Sequence, residues 1–222
     1  MRNILLLITC MAMNIQILGQ GIAISKEVHM LALGDSYTIG ESVQLEDRWP
    51  HQFVSVLRAK GIKAEDPDYI ATTGWTTADL LGGIEDRLDS KMTYNLVSIQ
   101  IGVNNQYQGI DINTYEPELR QIIDKALELV KQDAARVFML SIPDYAYTAF
   151  GKGDRKISHE IDAYNRINKK VAGEYGIARV NITTVSREGL KTPSLVAGDG
   201  LHPSAKQYRD WLGEILPNLS YY

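Results

Sequence analysis

The chain has one cysteine in 222 residues, Cys10, inside an apolar stretch near its start. With no second cysteine there is no intrachain disulfide and no cysteine-based zinc site, so stability must come from a packed core. An excess of positive charge is also missing. The 23 Lys and Arg stand against 27 Asp and Glu, a formal net charge of -4, which offers no field to a phosphate backbone and sets nucleic acid aside as a partner. The histidines number four, His29, His51, His159 and His202, and none of them pair at metal-ligand spacing. No metal and no cofactor is expected. Beyond the first residues no apolar run approaches the length that spans a bilayer. Internal repeats, low-complexity tracts and linker-like stretches are absent after residue 25.

What is present is the composition of an ordinary globular domain, 45% hydrophobic and 23% charged, long enough for one sizeable core. Arg2 precedes an apolar stretch from Ile4 to about Ile17, followed by the small and polar Gly19-Gln20-Gly21-Ile22-Ala23. This pattern predicts a secretory signal peptide over residues 1–23, cut between Gly19 and Ala23, leaving 24–222 as the domain, secreted or periplasmic. A membrane anchor is the competing reading, but the run is short and Asn14 and Gln16 interrupt it.

Val28 to Leu33 is apolar almost throughout, as a strand covered on both faces should be. Further strands are predicted at Tyr69–Ala71, Tyr94–Ile101, Arg136–Ile142 and Ile177–Ile182. Between them lie helical patterns over Trp49–Lys60, from Thr76 or Thr77 to about Leu88, across Leu119–Val130 behind a capping box at Asn113–Glu116, and over Ile161–Tyr175. A last helix is predicted over Ala205–Leu216. Strict alternation of strand and helix argues for one α/β domain whose five-stranded parallel sheet is covered on both faces, a three-layer α/β/α arrangement. The Asp144–Lys156 connection is long and rich in aromatics and glycine, which suits either substrate contact or a mobile surface excursion.

The chemistry gathers at strand ends. The first strand runs into Gly34-Asp35-Ser36, the second into Gly74 and the third into Gly102-Val103-Asn104-Asn105. In a parallel sheet these ends share one edge, where open α/β folds bind ligands. A hydroxyl attacking an ester carbonyl needs donors waiting for the oxyanion, and backbone N–H groups with one side-chain amide supply them. His202 follows Asp199 by one turn in Asp199-Gly200-Leu201-His202-Pro203, where the carboxylate can reach Nδ1–H and leave Nε2 free as a base. Taken alone, the pair could equally be loop residues ahead of a helix.

These blocks resemble the SGNH, or GDSL, family of esterases and lipases, over nearly all of the chain after the leader. The matches are Gly34, Asp35 and Ser36; Gly74; Gly102 and Asn104; and Asp199, His202 and Pro203. The resemblance implies a flavodoxin-like sheet of five strands, Ser36 as nucleophile, His202 as base and Asp199 as its orienter. It implies an oxyanion hole from the Ser36 and Gly74 N–H groups and the Asn104 amide. Asn105 stands where the family usually has aspartate. No G-x-S-x-G elbow occurs. The implied activity is hydrolysis of carboxylic esters, whether short-chain acyl, acetyl-glycan or lysophospholipid-like, through an acyl-serine. A silent module that binds acylated glycans or lipids is the alternative. Trp75, Tyr107, Tyr145 and Tyr147 flank the expected site as candidate substrate contacts or as ordinary packing. With no insertion long enough for a large lid, an open cleft and short acyl groups are expected.

Overall fold

The computed structural model describes residues 21–88 and 91–222. The proposed leader, Cys10 included, lies outside them except for residues 21–23.

Among the described residues, ten principal elements alternate along the chain to build the sheet and its cover. They are β1 (Met30–Gly34), α1 (Trp49–Ala59), β2 (Asp68–Ala71), α2 (Thr77–Arg87) and β3 (Leu96–Gln100). Then follow α3 (Ile112–Leu129), β4 (Val137–Leu140), α4 (Arg155–Tyr175), β5 (Ala178–Val180) and α5 (Ala205–Ile215). The strands form one all-parallel sheet in the order β2-β1-β3-β4-β5, the flavodoxin-like order. β1, β3 and β4 are buried at every residue, because helices cover both faces and leave no side for polar alternation. On one face α1 packs on α5; on the other α2 packs on α3 and α3 on α4.

The helices form where their apolar stripes meet the sheet. On α1, Trp49, Phe53, Val54 and Leu57 are fully buried, and the rings of Trp49 and Phe53 pack against Phe138 of β4 with centroids 6.2 Å away. Truncating a fully buried ring such as Phe53 to alanine costs about 3–5 kcal/mol, which makes this contact a principal one on that face. α5 turns Tyr208 and Trp211 to the same layer.

Several boundaries differ from the sequence expectation. β1 begins at Met30, because Val28 pairs with Ala64 in a separate two-stranded ribbon and half-exposed His29 sits between Glu27 and Glu65 at the sheet's amino edge. The start of α3 is capped by Asp111, which accepts the Asn113 N–H at 3.0 Å, and not by a box from Asn113 to Glu116. α4 starts at Arg155, capped by Asp154, so the long connection is shorter than its composition suggested. The domain also reaches into the proposed leader, since Ile22–Ile24 forms a parallel ribbon with Leu219–Tyr221.

Candidate active site

β1 ends at Gly34, where a Cβ would sit 2.0 Å from Thr38 Oγ1 and 2.4 Å from the Gln100 carbonyl, so only glycine fits. Asp35 then caps the single helical turn Ser36–Ile39, its side chain accepting the Tyr37 N–H at 2.9 Å. Burial without a counter-ion pushes the Asp35 carboxyl up to about 7, only partly offset by the Tyr37 N–H. This abrupt strand-to-turn change leaves Ser36 at the carboxyl edge of the sheet, at the point where the chain reverses direction across it, β2 lying to one side of β1 and β3 to the other.

His202 Nε2 lies 3.0 Å from Ser36 Oγ, and His202 Nδ1 lies 2.6 Å from Asp199 Oδ2. Ser36 and His202 are both buried, so little water competes for their contact. The Asp199 carboxylate is held by its own turn: Oδ1 accepts the Leu201 and His202 N–H groups at 2.9 and 3.0 Å. Burial would raise the Asp199 carboxyl, but the hydrogen bonds from Ser42, His202 and these two N–H groups outweigh it and hold the group below the usual carboxylate range. Tyr37 closes one side of the imidazole, its ring centroid 5.1 Å from that of His202, and its own carbonyl accepts the Tyr208 hydroxyl.

Gly74 has φ 83 and open space where a Cβ would project. Its carbonyl accepts from Gln108 Nε2 at 2.8 Å, which fixes this turn against the short helix Val103–Tyr107. Asn104, on that helix, donates one amide hydrogen to the Trp75 carbonyl at 3.0 Å, leaving the other for the cavity it lines. Ser36, Gly74, Asn104 and His202 thus face one cavity of 230 Å³.

Of the aromatic candidates, Tyr107 and Tyr145 line this cavity and Trp75 and Tyr147 do not. The Trp75 ring lies under the Arg87 guanidinium, 4.5 Å from its centroid, and fills the space beside Gly83; the residue reaches the site only through its carbonyl. Phe150, not singled out in the sequence, completes a triangle with Tyr107 and Tyr145, the centroids 6.0–6.1 Å apart. Its loop is pinned: the Phe150 N–H donates to the Gly200 carbonyl at 3.0 Å and the Gly153 N–H to the Ala146 carbonyl at 2.7 Å. Asn105 turns away from the cavity, its amide oxygen accepting the Thr77 N–H at 3.1 Å and its nitrogen donating to Thr77 Oγ1 at 2.6 Å. Among the described residues no group of three or more His, Cys, Asp or Glu side chains could hold a metal ion.

Such an arrangement can pass the Ser36 proton to His202 while amide and N–H donors meet a developing oxyanion. The chain is similar to several known proteins. An arylesterase of Vibrio mimicus is 26% identical over 193 residues, covering 84% of this chain and 85% of that protein. The fold matches TesA at TM-score 0.68 and 19% identity, covering 86% of this chain and 97% of the other. It also matches Axe2, an acetylxylan esterase from Geobacillus stearothermophilus, at TM-score 0.65 and 23% identity, with coverage of 89% and 95%. The model of the GDSL-like lipase/acylhydrolase family matches residues 32–209. The chain therefore belongs to the GDSL-like lipase/acylhydrolase family and is a carboxylic ester hydrolase.

Proposed function

We propose that this esterase is exported and cleaves short acyl esters through an acyl-serine intermediate. The observation that carries the reading is the continuous chain from Ser36 Oγ to His202 Nε2 at 3.0 Å and from His202 Nδ1 to Asp199 at 2.6 Å. Ser36 Oγ attacks the carbonyl carbon as its proton passes to Nε2, and Asp199 stabilises the imidazolium. The Ser36 and Gly74 N–H groups and Asn104 Nδ2 bind the oxyanion. As the tetrahedral adduct collapses, the alcohol leaves with the proton from Nε2. Water then attacks the acyl-serine, giving its proton to His202, and Ser36 is released with the acid.

Acyl length follows from size. A cavity of 230 Å³ is below the usual range for ligand pockets, about 300–1,000 Å³, and suits an acetyl or butyryl group better than a long chain. Tyr107, Tyr145 and Phe150 bound it with flat apolar faces suited to a sugar ring or an aryl group in the alcohol part of the ester. Export is supported by the basic start and apolar run over residues 2–17 and the small residues after it.

Hydrolysis of nitrophenyl acetate, butyrate, octanoate and palmitate, compared with Ser36→Ala and His202→Ala, tests the reading. Activity on the short esters lost by several powers of ten in both variants is expected. Substantial activity in Ser36→Ala overturns the serine mechanism, and rates rising steadily beyond about eight carbons overturn the acyl preference. A folded wild-type chain that binds an acylated glycan without releasing acid would be a binding module.

A further inference from the structure

The catalytic reading leaves one close contact of Asp199 unused. Ser42 lies on the turn that follows the Ser36–Ile39 helix, and its hydroxyl donates to Asp199 Oδ2 at 2.6 Å. That oxygen is the one His202 Nδ1 reaches at 2.6 Å. With the Leu201 and His202 N–H groups on Oδ1, the carboxylate is held from four directions. Three of the four donors come from its own turn, and Ser42 alone comes from the segment that carries the nucleophile.

Two further facts argue that this contact is more than loop packing. Ser42 has φ 66, a left-handed conformation that glycine adopts with less strain. The backbone alone therefore favours glycine here, and what the side chain adds is the bond to Asp199. Moreover, the Asp199 side chain is 30% exposed, so without Ser42 water reaches Oδ2 and the carboxylate can swing away from the ring. The neighbouring Glu41 accepts from Thr73, which lines the cavity beside Gly74. The turn after the nucleophile is thus tied to both loops that complete the site.

We infer that Ser42 is a positioning residue for ester hydrolysis: its hydroxyl fixes Asp199 Oδ2 and, through it, the ring of His202 against Ser36. The inference rests on the serine mechanism above. It acts on the protonation steps and not on substrate affinity, because Ser42 does not line the cavity.

Ser42→Gly and Ser42→Thr in the full-length protein separate this role from a structural one. Glycine relieves the left-handed backbone and removes the hydroxyl; threonine keeps the hydroxyl and strains the backbone further. Expected for Ser42→Gly are a thermal midpoint at or above wild type, kcat lower by about tenfold and KM within about twofold. Expected for Ser42→Thr are a lower midpoint and kcat within about threefold of wild type. Activity and stability then run in opposite orders, which a structural role would not produce. A far-downfield proton resonance of His202 Nδ1–H is expected in wild type and in Ser42→Thr, and it should shift or broaden in Ser42→Gly. Wild-type kcat with an unmoved resonance in Ser42→Gly overturns the inference, as does a loss of kcat that follows the midpoint in both variants. If Ser36→Ala kept its activity the serine mechanism would fail, and the resonance by itself would still decide whether Ser42 orders Asp199 and His202.

Discussion

Asp144, fully buried, is ion-paired to Arg187, whose Nε lies 2.9 Å from its Oδ2. The other Asp144 oxygen accepts the Ala146 N–H at 3.1 Å and so caps the short turn Tyr145–Tyr147 that delivers Tyr145 to the cavity. Arg187 reaches on to Asp162 on α4 at 2.7 Å. Replacing Arg187 with alanine leaves a buried carboxylate without its partner, a loss of about 3 kcal/mol. Urea unfolding should show that loss, and KM for bulky esters should rise as Tyr145 and Phe150 lose their fixed positions. Unchanged stability would mean that the pair is incidental to the loop.

Stability should depend on pH through Asp35. Its carboxyl is pushed up to about 7 in the folded protein from an ordinary 3.8, so between these values the native state holds a proton that the unfolded chain has lost. Stability therefore falls as pH rises through that window, by on the order of a few kcal/mol, and stays low above it. Asp35→Asn keeps an oxygen to accept the Tyr37 N–H and removes the titration. Its unfolding free energy should be flatter than that of wild type from about pH 4 to 7 and higher than wild type above it. Parallel curves for the two proteins would rule out Asp35 as the source.

The asparagine at 105 has a local reason. Its amide nitrogen donates to Thr77 Oγ1, and that hydroxyl gives its single proton to Glu118. With aspartate at 105 the hydroxyl would face two carboxylates and could serve only one, leaving the other buried oxygen without a donor. Asn105→Asp should therefore cost about 1–3 kcal/mol near neutral pH and less in acid, where a protonated carboxyl restores the donor. Since Asn105 faces Thr77 and not the cavity, kcat on nitrophenyl acetate should stay close to wild type. A large loss of kcat at unchanged stability would show that Asn105 acts in the reaction.

The proposed export implies a cleavage site, and packing sets a boundary on it. Ile22 and Ile24 are buried and pair with Leu219 and Tyr221. Burial of two isoleucine side chains is worth about 3–6 kcal/mol, so a chain beginning at Ser25 should unfold at lower urea than one beginning at Gly21. The intact mass of the exported protein should place its amino terminus at or before Gly21. A mature terminus beyond Ile22 in a protein of full stability would contradict the ribbon's contribution.

The alternation of apolar strands and amphipathic helices was legible in the sequence because both patterns are local: a strand buried on two faces is apolar throughout, and a helix on a sheet shows a stripe. Strand order was not local, and the flavodoxin-like order was expected only through the family resemblance. The start of β1 failed because a distant residue helps decide it: Asn95, 66 positions along the chain, accepts the His29 N–H just ahead of the strand.

For the site, the sequence by itself set which residues could stand at the strand ends, because Gly34, Gly74 and Gly102 mark where the backbone must turn at the sheet edge. The His202 contact with Ser36, across 166 positions, exists only once α5 has packed against α1 and carried the Asp199–His202 turn to the end of β1. Ser42 had no sequence signal, since a single hydroxyl in a loop has no period, and Phe150 was marked only through its aromatic-rich loop, Asp144–Lys156, as a whole. For Trp75 the sequence left contact and packing both open: its neighbours in sequence lie at the site, while its ring turns to Arg87 and Gly83. Local patterns follow from hydrogen bonding and burial along one segment. A catalytic constellation depends on where long-range packing brings separate segments together, and that was decided by the tertiary fold.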